Sequence, residues 1–486
     1  MSKIKGFIGE TLIYGLGNVF SRVFAMILIP FYASFLGKID YSNLVMLQSF
    51  FTILTFLLAL NTGVFFYYYE YENPKYRKIV FTSWFYYELF ISLVFIALIA
   101  VFSNLLCNIF IVNSKNTFEL SVSLLLMGAQ LIPYVFNNTN INLFRINRKP
   151  KNVISIVFFE SLFTFSFVYA TLYLLNWGLI GVAVGQLVAR VLISLFFVKT
   201  SLFYINKNYF SFSLLKKILL YTWPYFVISI FGWVITSMDK FIGTKVLTDK
   251  TDVAILSLAM QLVIPISVLA DMIRMALGPF IMSIHKENDA QDTYQKVFDL
   301  TIFTSTLVVV VLVAATPVLT LILTDKSFMT VIYVVPLMAF ASIFSLAANQ
   351  FTVSFNLVSK NIYILFATIA AGLVGMFVNF FFMHKWGIVV SGISQISSYL
   401  VLGSILFILG KRIANLQIKI FNSSIILGIL VVFILIVLKN SEAVFNGEYL
   451  LLFLSSIITI IVLSLVYLRL SNIQIGLILK NLLKKG

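Results

Sequence analysis

The sequence contains very few of the residues that form covalent cross-links and metal centres. Among its 486 residues there are one cysteine, Cys107, and two histidines, His285 and His384. A single thiol excludes an intramolecular disulfide and any site built from several cysteines. Two histidines that lie far apart in sequence are too few to indicate a histidine-based metal or catalytic cluster. We therefore expect no metal site and no cofactor.

Charged residues and long polar stretches are also scarce. Only 11% of the residues are charged, 61% are hydrophobic, and the mean hydropathy is +1.03, which lies outside the range of ordinary soluble domains. The longest loops, around 199–217 and 285–296, are too short for an extramembrane catalytic domain, and no Gly-x-x-x-x-Gly-Lys phosphate loop occurs. We therefore expect that the protein is not an enzyme.

The sequence consists almost entirely of apolar segments of membrane-spanning length. A helix needs roughly 20 apolar residues to cross about 30 Å of hydrocarbon, and continuous apolar runs favour helices over the alternating strands of a barrel. We predict an all-α polytopic membrane protein with about fourteen transmembrane helices, over 10–34, 43–67, 79–103, 119–143, 153–175, 177–200, 218–242, 252–284, 297–323, 328–357, 361–383, 387–410, 418–438 and 448–468.

The basic residues predict the orientation of these spans, because cytoplasmic loops of membrane proteins carry an excess of Lys and Arg. With both termini placed in the cytoplasm, inside loops hold 23 of the 34 basic residues and outside loops hold 7. The remaining four fall within spans: Arg22, Arg190, Lys240 and Arg274. The net charge of +16 is thus mostly a topology signal, and we expect membrane lipids and no nucleic acid as its partners.

A repeat with a spacing of 209 positions indicates two related halves. Three groups recur: Lys151-Asn152 as Lys360-Asn361, Trp177-Gly178 as Trp386-Gly387, and Gln186 as Gln395. Transporters are often two such bundles related by pseudo-symmetry. We predict two six-helix lobes, 1–205 and 206–416, then two extra helices within 417–470 and a basic amphipathic cytoplasmic tail over 471–486.

Several short motifs resemble those of a known family, the bacterial polysaccharide flippases that handle O-antigen and capsule repeat units. The resemblance covers Tyr14-Gly15-Leu16-Gly17-Asn18, Ser21-Arg22, Pro30-Phe31-Tyr32, Tyr41, Leu143-Phe144-Arg145 and Asp239-Lys240-Phe241-Ile242. These flippases belong to the multidrug/oligosaccharidyl-lipid/polysaccharide exporter superfamily. The resemblance covers essentially the whole chain, but its motifs are degenerate and indicate the superfamily more than the substrate.

This resemblance implies a function and a location. The protein would transfer an undecaprenyl-diphosphate-linked oligosaccharide from the cytoplasmic to the outer leaflet of the bacterial plasma membrane. The route would be a V-shaped cavity between the lobes, used by alternating access and coupled to H⁺ or Na⁺. Polysaccharide polymerase and chain-length proteins would be its protein partners.

Six ionisable side chains lie deep in the predicted spans, roughly 12 to 20 Å from one end. Each is expensive in hydrocarbon unless it faces protein or water. Three are positive and three are negative, so the sequence does not predict a strongly cationic cavity, as the family picture would require. The six are Arg22, Glu88, Glu160, Arg190, Asp271 and Arg274.

Arginine suits a diphosphate, because its planar guanidinium forms bidentate hydrogen bonds and stays charged when desolvated. No acidic residue lies within one helical turn of Arg22 in the sequence. We predict that Arg22 is the leading diphosphate contact and that Arg274 is the second. Asp271, three positions before Arg274, either holds that arginine in place or carries a coupling proton or sodium ion.

Glu160 and Arg190 lie on adjacent antiparallel spans at similar depth, which favours an internal ion pair that holds the helices together. Glu88 is grouped with them as a buried pairing or coupling residue. Asp239 and Lys240 lie near the outer end of the seventh span, where they can snorkel to the interface. We predict that these two form an outer gate or anchor.

Two rival functions remain within the same superfamily. The fourteen spans resemble the lipid II flippase branch, and the sequence does not exclude that cargo. A cation-coupled multidrug antiporter would favour an unpaired acid in the first span, where this chain has Arg22 and no carboxylate after Glu10. The residues of the first span therefore favour an anionic cargo.

Overall fold

The computed structural model describes residues 20, 22–58, 64, 68, 74–110, 117–147, 149–247, 252–284, 290–357, 360, 362–413, 416 and 418–470. These residues form helices and contain no strand. The predicted tail over 471–486 and the start of the first predicted span lie outside them. Within the described residues, thirteen helices are long and apolar enough to cross a membrane. The protein is therefore an all-helical, multi-pass membrane protein.

The helices follow one another along the chain. The first eight are α1 over 22–31, α2 Gly37–Leu58, α3 Pro74–Phe110, α4 Thr117–Ala129, α5 Leu131–Ile146, α6 Pro150–Tyr169, α7 Gly178–Tyr204 and α8 Phe212–Val246. The others are α9 Asp252–Ile284, α10 Ala290–Leu323, α11 Val331–Leu357, α12 Ile362–Trp386, α13 Val389–Ile413, α14 Phe421–Lys439, α15 Ser441–Phe445 and α16 Leu450–Leu470. Short π-helical turns, Tyr32–Leu36 and Ala170–Leu174, follow α1 and α6.

The number of spans depends on the first helical stretch. The predicted spans one and two fall largely within a single apolar stretch, Arg22–Phe56. Gly37 interrupts this stretch with φ 70° and ψ 177°, a conformation that favours glycine because a Cβ would be strained there. The exact count of fourteen therefore stays a prediction.

A proline determines where the fourth predicted span, 119–143, is broken. Pro133 has no backbone N–H, so it cannot bond the carbonyl of residue 129, and α4 ends at Ala129. A turn at Gln130 follows, and Pro133 then lies in the first turn of α5, where proline is tolerated. This break gives Gln130 a position between two helices.

The helices group into two compact units that do not follow chain order. One unit comprises Met1–Leu258 and Thr368–Ile388, and the other comprises Ala259–Ala367 and Val389–Gly486. The boundaries fall inside α9 and α12. The division into lobes over 1–205 and 206–416 stays a prediction.

In the first unit, α6 and α7 approach each other closely through glycines. A Cβ on Gly185 would lie 2.7 Å from the backbone nitrogen of Val168, a distance that no side chain can tolerate. The hydroxyl of Thr171 donates a 2.8 Å hydrogen bond to the carbonyl of Gly181. Small residues spaced four apart permit such backbone contact between membrane helices.

A hydrophobic cluster joins α3 to α8 in the same unit. Its members include Phe81 and Trp84 from α3 and Leu215 and Ile218 from α8, with Tyr87 and Leu219 packed against it. Next to it, the backbone N–H of Ser211 donates to the hydroxyl of Ser83 at 2.9 Å. The second and third turns of α3 therefore lie beside the first turns of α8.

In the second unit, α11 and α13 form the most extensive helix pair. A Cβ on Gly392 would lie 2.5 Å from the Cβ of Leu337, so this contact also requires glycine. The two C-terminal helices α14 and α16 pack on α10. Ser423 donates a 2.8 Å hydrogen bond to Asp299 on α10.

The predicted repeat has a counterpart in backbone conformation. Gly178 and Gly387, which are 209 positions apart, both have left-handed backbones, with φ of 54° and 63°. Each stands next to the start of a helix, α7 in one case and α13 in the other. Gln186 and Gln395, also 209 apart, are both buried. These shared features agree with two related halves.

Candidate functional site

A polar network in the interior of the first unit is centred on Arg190 of α7. Its Nε donates to Oε1 of Glu160 on α6 at 3.3 Å, and its Nη1 donates to Oε1 of Gln130 at 2.6 Å. The guanidinium also lies 4.5 Å from the ring centroid of Phe51 on α2. Three groups from three different segments thus hold one side chain, and the predicted pairing of Glu160 with Arg190 is confirmed.

Asn137 of α5 completes this arrangement. Its Nδ2 donates to Oε2 of Glu160 at 3.2 Å and to the backbone carbonyl of Arg190 at 3.3 Å. Both oxygens of Glu160 therefore accept hydrogen bonds, one from Arg190 and one from Asn137. The pair is neutral overall, and its side chains are only 21% and 26% exposed.

Glu88 of α3 forms a second part of the network and is completely buried. Its Oε1 accepts a 3.2 Å hydrogen bond from Nδ2 of Asn138, whose own Oδ1 accepts from Asn142 at 3.0 Å. Its Oε2 is buried and makes no hydrogen bond to any described residue, although the indole of Trp84 lies nearby. Within the described part of the chain, no lysine or arginine pairs with this carboxyl. Glu88 differs in this respect from Glu160.

Tyr134 of α5 links the two parts. It lies within electrostatic range of Glu88, Glu160 and Arg190, and its hydroxyl lies close to Thr55 of α2. Its ring meets that of Phe51 edge to face at 6.1 Å. Tyr134 therefore lies close to both parts of the network.

The polar side chains of α5 were missed by the sequence reasoning. The run Asn137-Asn138-Thr139-Asn140-Ile141-Asn142 lies within a membrane-length helix, and such polar residues usually face the interior of a bundle. Several of its atoms, Asn137 Oδ1, Thr139 Oγ1 and Asn140 Nδ2, are buried without a partner within the described residues. The signal was the interruption of an apolar span by five polar residues in six positions.

The predicted substrate contacts have different outcomes. Arg22 lies at the start of the described helix, is half-buried, and makes an interaction within the chain. The backbone of Asp271 and Arg274 belongs to α9, but their side chains lie outside the described residues. The roles of all three stay predictions.

The predicted outer pair, Asp239 and Lys240, is more buried than the sequence suggested. Asp239 and Lys240 are 2% and 5% exposed, so they do not snorkel outward as the sequence suggested. Asp239 instead accepts a 2.9 Å hydrogen bond from the backbone N–H of Lys240. Their position well inside α8, which continues to Val246, is the physical reason. The assignment as a gate stays a prediction.

Solved structures with a similar fold are transporters of the multidrug/oligosaccharidyl-lipid/polysaccharide exporter superfamily. An inward-facing multidrug resistance MATE family transporter of this superfamily has a TM-score of 0.71 at 15% identity, over 82% of this chain and 95% of that one. The lipid II flippase MurJ in an inward closed conformation has a TM-score of 0.67 at 14% identity, over 94% and 99%. The MATE multidrug transporter DinF-BH in complex with R6G has 0.66 at 12% identity, over 85% and 96%. The fold is therefore that of multi-pass transporters of this superfamily.

The sequence profile of one family matches the N-terminal part of the chain. The family is described as polysaccharide biosynthesis protein, and the match covers residues 8–285, more than half of the 486. The chain belongs to this family. A comparison with curated proteins found no match.

Proposed function

We propose that the protein is a flippase that transfers undecaprenyl-diphosphate-linked oligosaccharide repeat units from the cytoplasmic to the outer leaflet of the bacterial plasma membrane. The product would supply surface polysaccharide such as O-antigen or capsule. Membership of the polysaccharide biosynthesis family carries this proposal. The similarity in fold to a lipid II flippase supports a lipid-linked cargo.

In this proposal the diphosphate is bound by arginines other than Arg190. Arg190 is a poor candidate, because Glu160 already neutralises it and Gln130 and Phe51 occupy other parts of its guanidinium. Arg22 and then Arg274 are the residues that we assign to the diphosphate, with Asp271 orienting Arg274. The planar guanidinium suits two phosphate oxygens at once.

Transport by alternating access needs an energy source, and we assign the coupling ion, H⁺ or Na⁺, to Glu88. This carboxyl is fully buried. Among the described residues, its Oε1 accepts from an amide and its Oε2 makes no hydrogen bond. A carboxyl in such surroundings is stabilised by binding a proton or a cation. Tyr134 connects it to Arg190 and Glu160, so ion binding would change the interior of the unit.

The lipid II flippase activity is the second candidate. It is favoured by the extent of the structural match, since MurJ aligns with 94% of this chain whereas the two MATE structures cited align with 82% and 85%. A polysaccharide polymerase and a chain-length protein are partners that we propose only for the oligosaccharide cargo.

The first test is the leaflet distribution of undecaprenyl-linked oligosaccharide in cells that lack the protein. We expect accumulation on the cytoplasmic leaflet together with loss of the surface polymer, and restoration of both by the wild-type gene. Accumulation of lipid II instead would establish the second candidate. Unchanged lipid intermediates with heightened sensitivity to cationic drugs would overturn both in favour of a multidrug antiporter.

A further inference from the structure

A groove separate from the polar network lies between α3 and α8 of the first unit and has a volume of about 500 Å³. On α3 it is lined by Tyr87, Ile91 and Phe95, which follow one another at intervals of one helical turn. On α8 it is lined by Lys216, Leu219, Leu220, Thr222, Trp223 and Phe226. Volumes of this size are typical of sites for small molecules.

The length of the groove matches one leaflet of a bilayer. Lys216 and Phe226 are ten residues apart, which corresponds to about 15 Å along a helix. The hydrocarbon of a bilayer is about 30 Å thick, so each leaflet accounts for about 15 Å. Tyr87 and Phe95 line the groove over a similar distance on α3. An apolar chain that belongs to one leaflet would therefore fit along the groove.

The charge of the groove indicates which polar headgroup is attached to such an apolar chain. Lys216 is exposed and is the single charged side chain among the lining residues. Within the described part of the chain it forms no ion pair. One ammonium group matches the single negative charge of a phosphodiester, whereas a diphosphate carries more charge than one lysine neutralises. The polar end therefore favours a phosphodiester over the diphosphate of the proposed cargo.

The aromatic residues add to this match. Trp223 and Tyr87 have both an apolar ring and a polar N–H or O–H group, and such side chains are enriched where membrane proteins meet lipid. Farther along, Phe95 and Phe226 are purely apolar. On α8 the lining begins at the charged Lys216 and ends, after Leu219, Leu220 and Trp223, at the apolar Phe226. The groove therefore has a charged end and an apolar end, as a phospholipid does.

We propose that this groove binds an anionic glycerophospholipid, with its phosphodiester at Lys216 and one acyl chain along the apolar stripe of α3 and α8. The bound lipid contacts Tyr87, next to Glu88, and so lies against the helix that carries the buried carboxyl. The site is independent of the substrate site in the proposed function.

The test uses phosphatidylglycerol that carries a photoreactive diazirine in one acyl chain. The full-length protein is reconstituted with this probe, irradiated and digested, and the labelled residues are identified by mass spectrometry. We expect adducts on the lining residues of α3 and α8. Lys216→Gln should lower labelling there about fivefold, which is the contribution of one basic residue to binding an anionic lipid. Lys217→Gln is the matched control, since that exposed lysine does not line the groove, and should leave labelling unchanged.

A second variant separates binding in the groove from general contact with lipid. Ile91→Trp fills the groove and should remove the adducts, while the melting temperature in detergent verifies that the variant folds. Equal labelling by the zwitterionic phosphatidylcholine probe, or no effect of Lys216→Gln, would show ordinary surrounding lipid and overturn the proposal. Displacement of the probe by an equal amount of polyprenyl phosphate would overturn it in favour of an isoprenoid occupant.

Discussion

Charged side chains inside the first unit are held by partners from distant parts of the chain. Arg190 contacts Glu160 and Gln130, which lie 30 and 60 positions away in sequence. The pair is partly exposed, so its stabilisation is smaller than that of a fully buried pair. Its contribution can be measured because both charges can be removed together.

We expect Glu160→Gln to lower the free energy of unfolding by about 1–3 kcal/mol, because Arg190 loses its counter-charge in a mostly buried site. The double variant Glu160→Gln, Arg190→Gln leaves no uncompensated charge and should recover most of that loss. Chemical unfolding of the purified proteins in detergent measures both effects. Additive losses in the double variant would contradict the pairing as a source of stability.

Glu88 poses the opposite case, a buried carboxyl without a cationic partner in the described residues. Glu88→Gln keeps the acceptor for Asn138 and the volume of the side chain, so we expect the protein to fold normally. Transport in proteoliposomes should lose its dependence on an imposed proton or sodium gradient, because a neutral amide takes up no proton and supplies no charge to balance a sodium ion. A variant with the gradient dependence of the wild type would remove Glu88 as the coupling residue.

Arg22 is the leading candidate for the diphosphate, and its substitutions distinguish charge from geometry. Arg22→Ala should abolish export while membrane insertion stays normal. Arg22→Lys should restore export only in part, since an ammonium group lacks the bidentate geometry of guanidinium. Surface polysaccharide and membrane abundance are measured in the same cells. Near-wild-type export by Arg22→Ala would show that Arg22 is not the diphosphate contact.

At the scale of helices, close packing depends on single glycines. A Cβ on Gly185 would lie within 2.9 Å of three backbone atoms of Phe167 and Val168, and backbone atoms cannot rotate away as a side chain can. We expect Gly185→Ala to push α6 and α7 apart and to lower stability by about 1–3 kcal/mol. Gly232→Ala is the control, because nothing lies within 4 Å of its added Cβ, and its melting temperature should not fall. Equal stability of the two variants would contradict the close contact.

The helices themselves were largely predictable from the sequence, because membrane-length apolar runs admit few other structures. The breaks between them were less predictable. Gly37 interrupts the first stretch, and Pro133 follows a turn at Gln130 that hydropathy does not register. The pairing of Glu160 with Arg190 followed from equal depth on adjacent spans. The contact of Glu88 with Asn138, 50 positions apart, leaves no local pattern, because helices that are apolar on every face do not reveal which side meets which neighbour.

At the scale of the whole molecule, the order of the chain differs from the grouping of the helices. The first unit takes α1 to α8 and the start of α9, and it also takes most of α12 from much later in the chain. Contacts between segments so far apart form only after long loop closure, which slows folding. Hydropathy and charge report on individual spans and carry no information on this grouping, so the sequence could not predict it.

The orientation of the whole molecule in the membrane is a prediction from basic residues, and α12 offers a sharp test of it. Lys360 and Lys385 stand near opposite ends of this helix and are both exposed. Each is replaced by cysteine in a Cys107→Ser background, which removes the native thiol. A membrane-impermeant maleimide added to intact cells should label Lys385→Cys and not Lys360→Cys, because the excess of Lys and Arg places the latter in the cytoplasm. Permeabilised cells, in which both should react, verify that the thiols are accessible. The reverse pattern would invert the molecule, and labelling of both in intact cells would mean that α12 does not cross the membrane.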